Sequence, residues 1–414
     1  MTDSSNGQYD IVIAGGGMIG ASLALALSPL GLRVAVVEAV ARGEALQPSF
    51  DDRSTALSRS TQRMFEAMGL WDHVLSAATP IRRIHVSDRG RFGFSHIDAA
   101  EQGVEALGYV VINRVLGDVL QSALAKSATV DLLCPATVID IEVSSHVASA
   151  AVQADGGDSR EVACQLLVAA DGANSALRPM LGICAKKTDY GQHAVIGNVL
   201  PEKAIDNCAY ERFTDQGPLA LLPVADDRAA FVWTVSSHDS VRVLDLEDGA
   251  FLDELQEAFG YRLGRLSRVG KRAGYPLSLS KALRLTAERA VLVGNAAHGL
   301  HPVAAQGFNL GMRDVAALCD CIADARASDP AADLGDPELL ARYAKWRRDD
   351  QGKLVQLTDG IVRLFGSSSP PLRAARNIGM LGFDIIPGVR SLFARHMMGL
   401  AGRLPRLSRG VPLK

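Results

Sequence analysis

The stretch from Tyr9 to Glu38, YDIVIAGGGMIGASLALALSPLGLRVAVVE, constrains the fold of this chain more than any other. Asp10 leads into Ile11-Val12-Ile13-Ala14, an apolar run the length of one buried strand. Gly15, Gly17 and Gly20 fill a G-x-G-x-x-G pattern, with Gly16 as an extra glycine. A helical run opens at Met18 and Ile19 and stops at Ser28-Pro29, with Gly31 just beyond. A second strand, Leu32 to Val37, is apolar on both faces, as a parallel sheet covered by helices demands. It ends in Glu38.

The chemistry of a dinucleotide explains this order. Gly15 permits a tight turn, Gly17 lets a pyrophosphate approach the backbone, and Gly20 lets helix and strand pack closely. The helix N-terminus offers the free N–H groups of its first turn, Met18 and Ile19 included, and a partial positive charge. Glu38 is placed to accept hydrogen bonds from an adenosine ribose. The alternative is a glycine-rich turn in some other α/β domain. Whether the dinucleotide is FAD or NAD is not decided by this stretch.

The 414 residues suggest two to three domains. With 48% hydrophobic residues a large core is expected, and a formal charge of −3 argues against a nucleic-acid partner. The charge is uneven: Ile361 to Lys414 holds nine Lys/Arg and one acid, Asp384, which leaves −11 for residues 1–360. The six cysteines form no C-x-x-C pair and read as reduced thiols of a cytoplasmic interior, not as a metal site. The apolar run Ile11–Leu27 could mimic a signal or membrane segment, but its glycines and acidic flank favour strand, loop and helix, and no transmembrane span is expected.

Further along, Ser58 to Met68 reads as a helix, and Ile81 to Ile97 as a strand pair turning at Asp88-Arg89-Gly90. Asn113 is the expected N-cap of a helix running through Leu124. Three strand-like segments, near 137–143, 147–153 and 161–169, lead into Asp171-Gly172. Residues 186–284 read as a sheet-based insertion, in which Leu219–Pro223 and Phe231–Trp233 offer an apolar wall for a substrate pocket. A buried strand then returns at Arg289–Val293, followed by GNAAHGLHPVAAQGFNLGMRD (294–314) and a helix carrying Val315, Leu318, Cys319 and Ile322 on one face. His298 and His301 read as ordinary polar lining or, less simply, as the source of a catalytic histidine; a zinc pair would need more ligands.

Gly15–Gly20, Asp171-Gly172 and Gly294–Asp314 together resemble the three flavin motifs of the FAD-dependent aromatic hydroxylases, the para-hydroxybenzoate-hydroxylase-like family. The motifs span residues 9–320. The 294–314 block and FDDRSTALS (50–58) resemble the ubiquinone-biosynthesis hydroxylases most, in particular the 2-octaprenyl-6-methoxyphenol hydroxylase subgroup. The resemblance implies an α/β fold: a Rossmann-like, glutathione-reductase-type FAD domain with an inserted β-sheet substrate domain and a helical C-terminal tail. The expected divisions are 1–80, 100–185 and 285–340 for the FAD domain, 81–99 and 186–284 for the substrate domain, and 341–414 for the tail.

By position, the resemblance implies that Gly15, Gly17, Met18, Ile19, Gly20 and Glu38 hold the adenosine end of FAD, with Arg53 and Arg114 as polar contacts. Asp171-Gly172 would touch FAD and the reductant, NADPH or NADH. Gly294-Asn295 would meet the ribityl chain, and Pro302 with Gly307-Phe308-Asn309 would line the isoalloxazine. Two departures stand out. The wider family has Asp at Asn295, whose amide accepts a ribityl hydrogen bond without charge assistance; Asn there is a feature of the ubiquinone subgroup. Ala305 stands where Gly is frequent. The implied reaction is hydroxylation of a prenylated phenol through a flavin hydroperoxide. No acid–base residue is singled out.

Two other readings stay open: another flavoenzyme of this fold, such as a soluble aromatic hydroxylase or a prenyl-chain reductase, and a nucleotide-binding scaffold without chemistry. The tail places Val389, Leu392, Phe393, Met397 and Leu400 at helical spacing among arginines. That pattern suits peripheral contact with the inner face of a membrane, or with other quinone-biosynthesis enzymes, and equally a helix packed on the enzyme's own body.

Overall fold

The computed structural model describes residues 7–41, 53–90, 94–157, 159–299, 306–366 and 387–414, excepting the side chains of 353–359, 361–366, 387 and 389. Its first sheet runs in the order Thr286–Ala287, Ala290–Leu292, Ser159–Ala169, Gln8–Ala14, Val34–Val37, Val130–Leu133. From Ala290–Leu292 to Val130–Leu133 all neighbours are parallel. Ile11, Val12, Ile13 and Val34 to Val36 are fully buried, because helices cover both faces.

Strand Ser159–Ala169 does two jobs along its length. Ser159 to Cys164 pairs antiparallel with Ala148–Ala154, which in turn pairs with Ala136–Val143. Its later residues pair in parallel with Gln8–Ala14 and Ala290–Leu292. Helix Met18–Leu27 stops where Pro29, which has no N–H, enters a 3₁₀ turn, Ser28–Leu30. Gly31 closes that turn at φ +69°.

The second sheet has nine strands. Ala185–Pro201 lies at its centre, flanked by Ala273–Ala282 and Ala229–Ser236, and followed outward by Gly217–Pro223 and Cys208–Thr214. Arg83–Asp88 joins this sheet in parallel beside Cys208–Thr214 and brings its hairpin partner Phe94–Asp98. Helix Asp248–Phe259 covers one face, and Phe251, Leu255 and Phe259 form a separate core with Leu219, Leu221, Phe231 and Trp233.

A third, three-stranded sheet joins Ser54–Ser58, Gly108–Ile112 and Thr79–Ile81. Ser54–Ser58 is a strand, and the helix expected from Ser58 starts just after it. That helix is Arg59–Ala67, capped by the Ser58 hydroxyl, which accepts from the Thr61 N–H. Helices Gln306–Ser328 and Pro337–Gly366 pack together and close the first sheet.

Two expectations are corrected. Ile112, not Asn113, is the N-cap of helix Asn113–Leu124, and no side chain caps it. The Asn113 side chain is instead drawn across to Thr55, whose hydroxyl donates to its amide oxygen at 2.6 Å. The apolar wall is also different. Alternation along the strands sends Leu219, Leu221, Phe231 and Trp233 into the core under helix Asp248–Phe259. The opposite face carries Ala220, Leu222, Ala230 and Val232.

The tail helix Pro387–Met397 docks on the body. Ala394 and Met398 are buried against Ile97 and Leu107, with Phe393 and Leu400 packed at their edge. Leu407 and Leu413 enter the main core. Two tail arginines meet body residues, Arg390 pairing with Glu101 and Arg406 with Asp324, and Arg403 lies over the Trp346 ring of the long helix. No helix among the described residues is long and apolar enough to cross a membrane.

Candidate active site

Three turns follow the carboxyl ends of three adjacent parallel strands. Gln8–Ala14 runs into Gly15–Gly20, Ser159–Ala169 into Asp171-Gly172, and Ala290–Leu292 into Gly294-Asn295. Such an edge is where open α/β sheets bind ligands.

In the first turn Gly15 adopts φ +103°, and a Cβ there would lie 2.5 Å from the Ala170 carbonyl oxygen. A Cβ on Gly20 would meet the Gly15 carbonyl oxygen at 1.9 Å, so the helix sits directly on its own strand. Gly16 faces Glu38, whose Cβ is 2.8 Å from where its own would be. No side chain caps the helix beginning at Met18, and its first turn carries no acid. Its leading N–H groups therefore point outward as anion donors.

Glu38 is buried. Its Oε2 accepts the Gly16 N–H at 2.7 Å and its Oε1 the Val40 N–H at 2.9 Å. Both oxygens thus pin the loop. Beside it, Leu133, Cys134, Pro135 and Ala136 line a cavity of about 300 Å³.

Asp171 accepts the Leu177 N–H through Oδ2 at 3.1 Å, while its buried Oδ1 has no partner among the described residues. Gly294 adopts φ +59°; a Cβ there would lie 3.1 Å from Ile19 Cγ2. Ile19 Cδ1 lies 2.7 Å from the corresponding Cβ site at Gly311. Ile19 therefore packs where the first turn, the third turn and helix Gln306–Ser328 converge. Asn295 stands exposed at the tip.

Asp314, which the sequence did not single out, fixes this convergence. It is fully buried and accepts the Gly294 N–H at 3.0 Å, His298 Nε2 at 2.6 Å, Arg347 Nε at 2.6 Å and Gln351 Nε2 at 3.1 Å. Burial alone would raise its pKa, but the charges of His298 and Arg347 and their hydrogen bonds bring it down to about 2. His298 is thus an anchor of the turn, not a pocket-lining group.

Gly307 opens helix Gln306–Ser328 with open space beside it. Phe308 is half-buried against the main core. The Asn309 side chain is spent on the third sheet, accepting from the Ser58 N–H at 2.8 Å and donating to the Ala56 carbonyl at 2.8 Å. Pro302, His301 and Ala305 lie outside the described residues.

Arg53 and Arg114 come together at one end of that small sheet, where the Asn113 N–H donates to the Arg53 carbonyl. The Arg53 guanidinium lies 4.8 Å from the centre of the Tyr275 ring, a contact across to the second sheet that the sequence did not suggest. Ala56, Ile81 and Val110 of the small sheet pack against Ala209 and Leu222. The face of the second sheet that carries Leu222 is therefore the one turned towards the three turns.

The residues fit a dinucleotide. An uncapped helix start, a turn only glycine can make, a carboxylate at the end of the second strand and an unpartnered buried Asp171 oxygen surround one edge. Comparison with known proteins agrees. The model of the FAD binding domain matches residues 8–358. Ubiquinone hydroxylase UbiL of Rhodospirillum rubrum is 37% identical, covering 100% of this chain and 95% of that one. The 3-demethoxyubiquinol 3-hydroxylase of Escherichia coli is 32% identical over 96% of this chain and 100% of its own. The crystal structure of p-nitrophenol 4-monooxygenase PnpA from Pseudomonas putida superposes with a TM-score of 0.78 over 96% of this chain and 99% of that one. At 19% identity, that likeness speaks for the fold. The chain belongs to the FAD binding domain family, and within it is a flavin-dependent monooxygenase.

Proposed function

We propose that this enzyme hydroxylates the ring of a prenylated phenol in ubiquinone biosynthesis, with NADPH or NADH as reductant and dioxygen as co-substrate. The observation that carries the proposal is the half-open apolar face of the second sheet, with Leu222 and Val232 half-buried, turned towards the three turns. An isoprenoid gains about 0.8 kcal/mol for each methylene it buries on such a face. The names of the UbiL and 3-demethoxyubiquinol relatives support the same substrate class.

In this reading the uncapped helix start at Met18 and Ile19, with Gly15, Gly17 and Gly20, holds the pyrophosphate of FAD. Glu38, at the end of the second strand, accepts a ribose hydroxyl. Asp171-Gly172 touches FAD and the reductant, Gly294-Asn295 meets the ribityl chain, Arg53 and Arg114 add polar contacts, and Gly307-Phe308-Asn309 brings the start of a helix to the ring system. Bound FAD supplies two-electron transfer from the nicotinamide and activation of dioxygen, one oxygen atom ending on the ring and the other in water. The chain positions the ring and keeps water from it.

Three finer assignments belong to the same proposal. The first sheet with its helices is the FAD domain, the second sheet the substrate domain, and 341–414 the helical closing region. The enzyme works in the cytoplasm beside the inner face of the membrane. Its contact there, or with other quinone-biosynthesis enzymes, uses the arginines and the exposed Leu392 of the tail. Oxygen uptake with NADPH or NADH and a prenylated methoxyphenol tests the reaction. A product heavier by one oxygen atom supports it; cofactor binding without oxygen uptake or product refutes it.

A further inference from the structure

Glu211 stands on strand Cys208–Thr214, whose side chains alternate between two surroundings. Tyr210 meets Phe259 edge to face, and Arg212 reaches Gly260, both on the side covered by helix Asp248–Phe259. Ala209 lies on the other side, against Ile81 and Val110. Glu211, two residues on, shares the Ala209 side, about 6–7 Å further along the strand. This is the side turned towards the three turns.

Its cross-strand neighbours there are Ala220 and Val86. Along its own strand it is flanked by Ala209 and Phe213, both buried. Helix Pro337–Gly366 packs over the two strands that hold Glu211 and Ala220. The carboxyl makes no hydrogen bond or ion pair with any described residue. Burial pushes it up to about 7.

Glu211 is half-buried, and its carboxyl, set among apolar neighbours with no partner among the described residues, is open to one from outside. Of the sheet's own charged groups only Asp88, opposite Phe213, shares this side nearby. In sequence the overlying helix carries Lys353, Asp359 and Arg363 within the stretch whose side chains are not described.

Resting on the reading of the substrate as a phenol, we infer that Glu211 is a catalytic residue: its carboxyl holds the phenol O–H on the inner face of the second sheet and takes the proton. The O–H bond breaks, the proton moves to a Glu211 oxygen, and the electron pair stays on the phenol oxygen. Negative charge there raises electron density at the ortho and para carbons, where an electrophilic oxygen adds. The proton returns to the product oxygen or to solvent, so the residue ends each cycle as it began. A free phenol has a pKa of about 10 and an ordinary Glu about 4.3, and a carboxyl raised to about 7 roughly halves that mismatch.

The test uses the full-length, FAD-loaded enzyme and its Glu211→Gln and Glu211→Asp variants, with a prenylated methoxyphenol. Glu211→Gln should lower kcat on the order of 100-fold with KM changed only a few-fold, and should lose the acidic limb of the kcat profile near pH 7. Glu211→Asp should recover part of kcat and keep a limb. A kcat and limb like those of the parent enzyme in Glu211→Gln would overturn the inference while leaving the phenol reading intact. An unmutated enzyme that hydroxylates no phenol would overturn both.

Discussion

Asp314→Asn removes one charge and keeps the shape, so its effect can be worked out from the four donors around it. Arg347 Nε and His298 Nε2 each lose a bond to a charge, which is worth about 1 kcal/mol more than the neutral equivalent. The Asn amide also turns an N–H₂ towards a site lined by N–H donors. One donor left facing another in a buried site costs about 1–3 kcal/mol. Arg347 keeps Asp350, so it is not stranded. The sum, about 3–5 kcal/mol, matches the usual cost of breaking a buried pair from one side. At about 2–4 °C per kcal/mol for a domain of this size, the melting temperature at pH 7 should fall by roughly 6 °C or more. The pH dependence is the sharper readout. Asp314 is held down to about 2, below its unfolded value, so its contribution is full above about pH 4 and fades as the pH falls through 2. That contribution is about 2 kcal/mol. The gap between parent and variant should therefore narrow below pH 4. A variant within 1–2 °C of the parent at pH 7, or a gap constant down to pH 2, would refute the reasoning.

Gly15→Ala should lose FAD, because a side chain at φ +103° adds about 1–3 kcal/mol of strain and the Cβ meets the Ala170 carbonyl at 2.5 Å. Stoichiometric yellow cofactor in the purified variant would contradict that. If the tail brings the enzyme to lipid, the parent should float with anionic liposomes at low salt and Leu392→Asp should float less; equal flotation removes the membrane claim.

What the sequence made legible is what is local. The strand, glycines, helix and terminal acid of residues 9–38 sit within one βαβ unit, and their spacing alone limits how they can fold. The meeting of the three turns at one edge is not local. It follows from strands 8–14, 159–169 and 290–292 being neighbours, and only the resemblance foretold it. The pocket wall was misread because Leu219–Pro223 and Phe231–Trp233 are apolar at every position, so alternation could not tell core from cleft. Asn113 misled by one residue, since the helix begins at the strand end and Thr55 claims its side chain. Asp314, with Arg347 far along the chain, looks in sequence like any helical acid. The tail's apolar stripe was legible, but a stripe does not say what it packs against; Ile97 and Leu107 decide that.

The central claim is that the sheet face beside the flavin edge takes the isoprenoid of a phenol. Turnover under air, measured as product mass and nicotinamide oxidation across methoxyphenols of increasing prenyl length, tests it most directly. Each isoprene unit buries about five carbons, so affinity should rise steeply with the first units and the bare phenol should be a much poorer substrate. Equal turnover of the bare and the prenylated phenol would contradict the claim and favour a soluble aromatic hydroxylase.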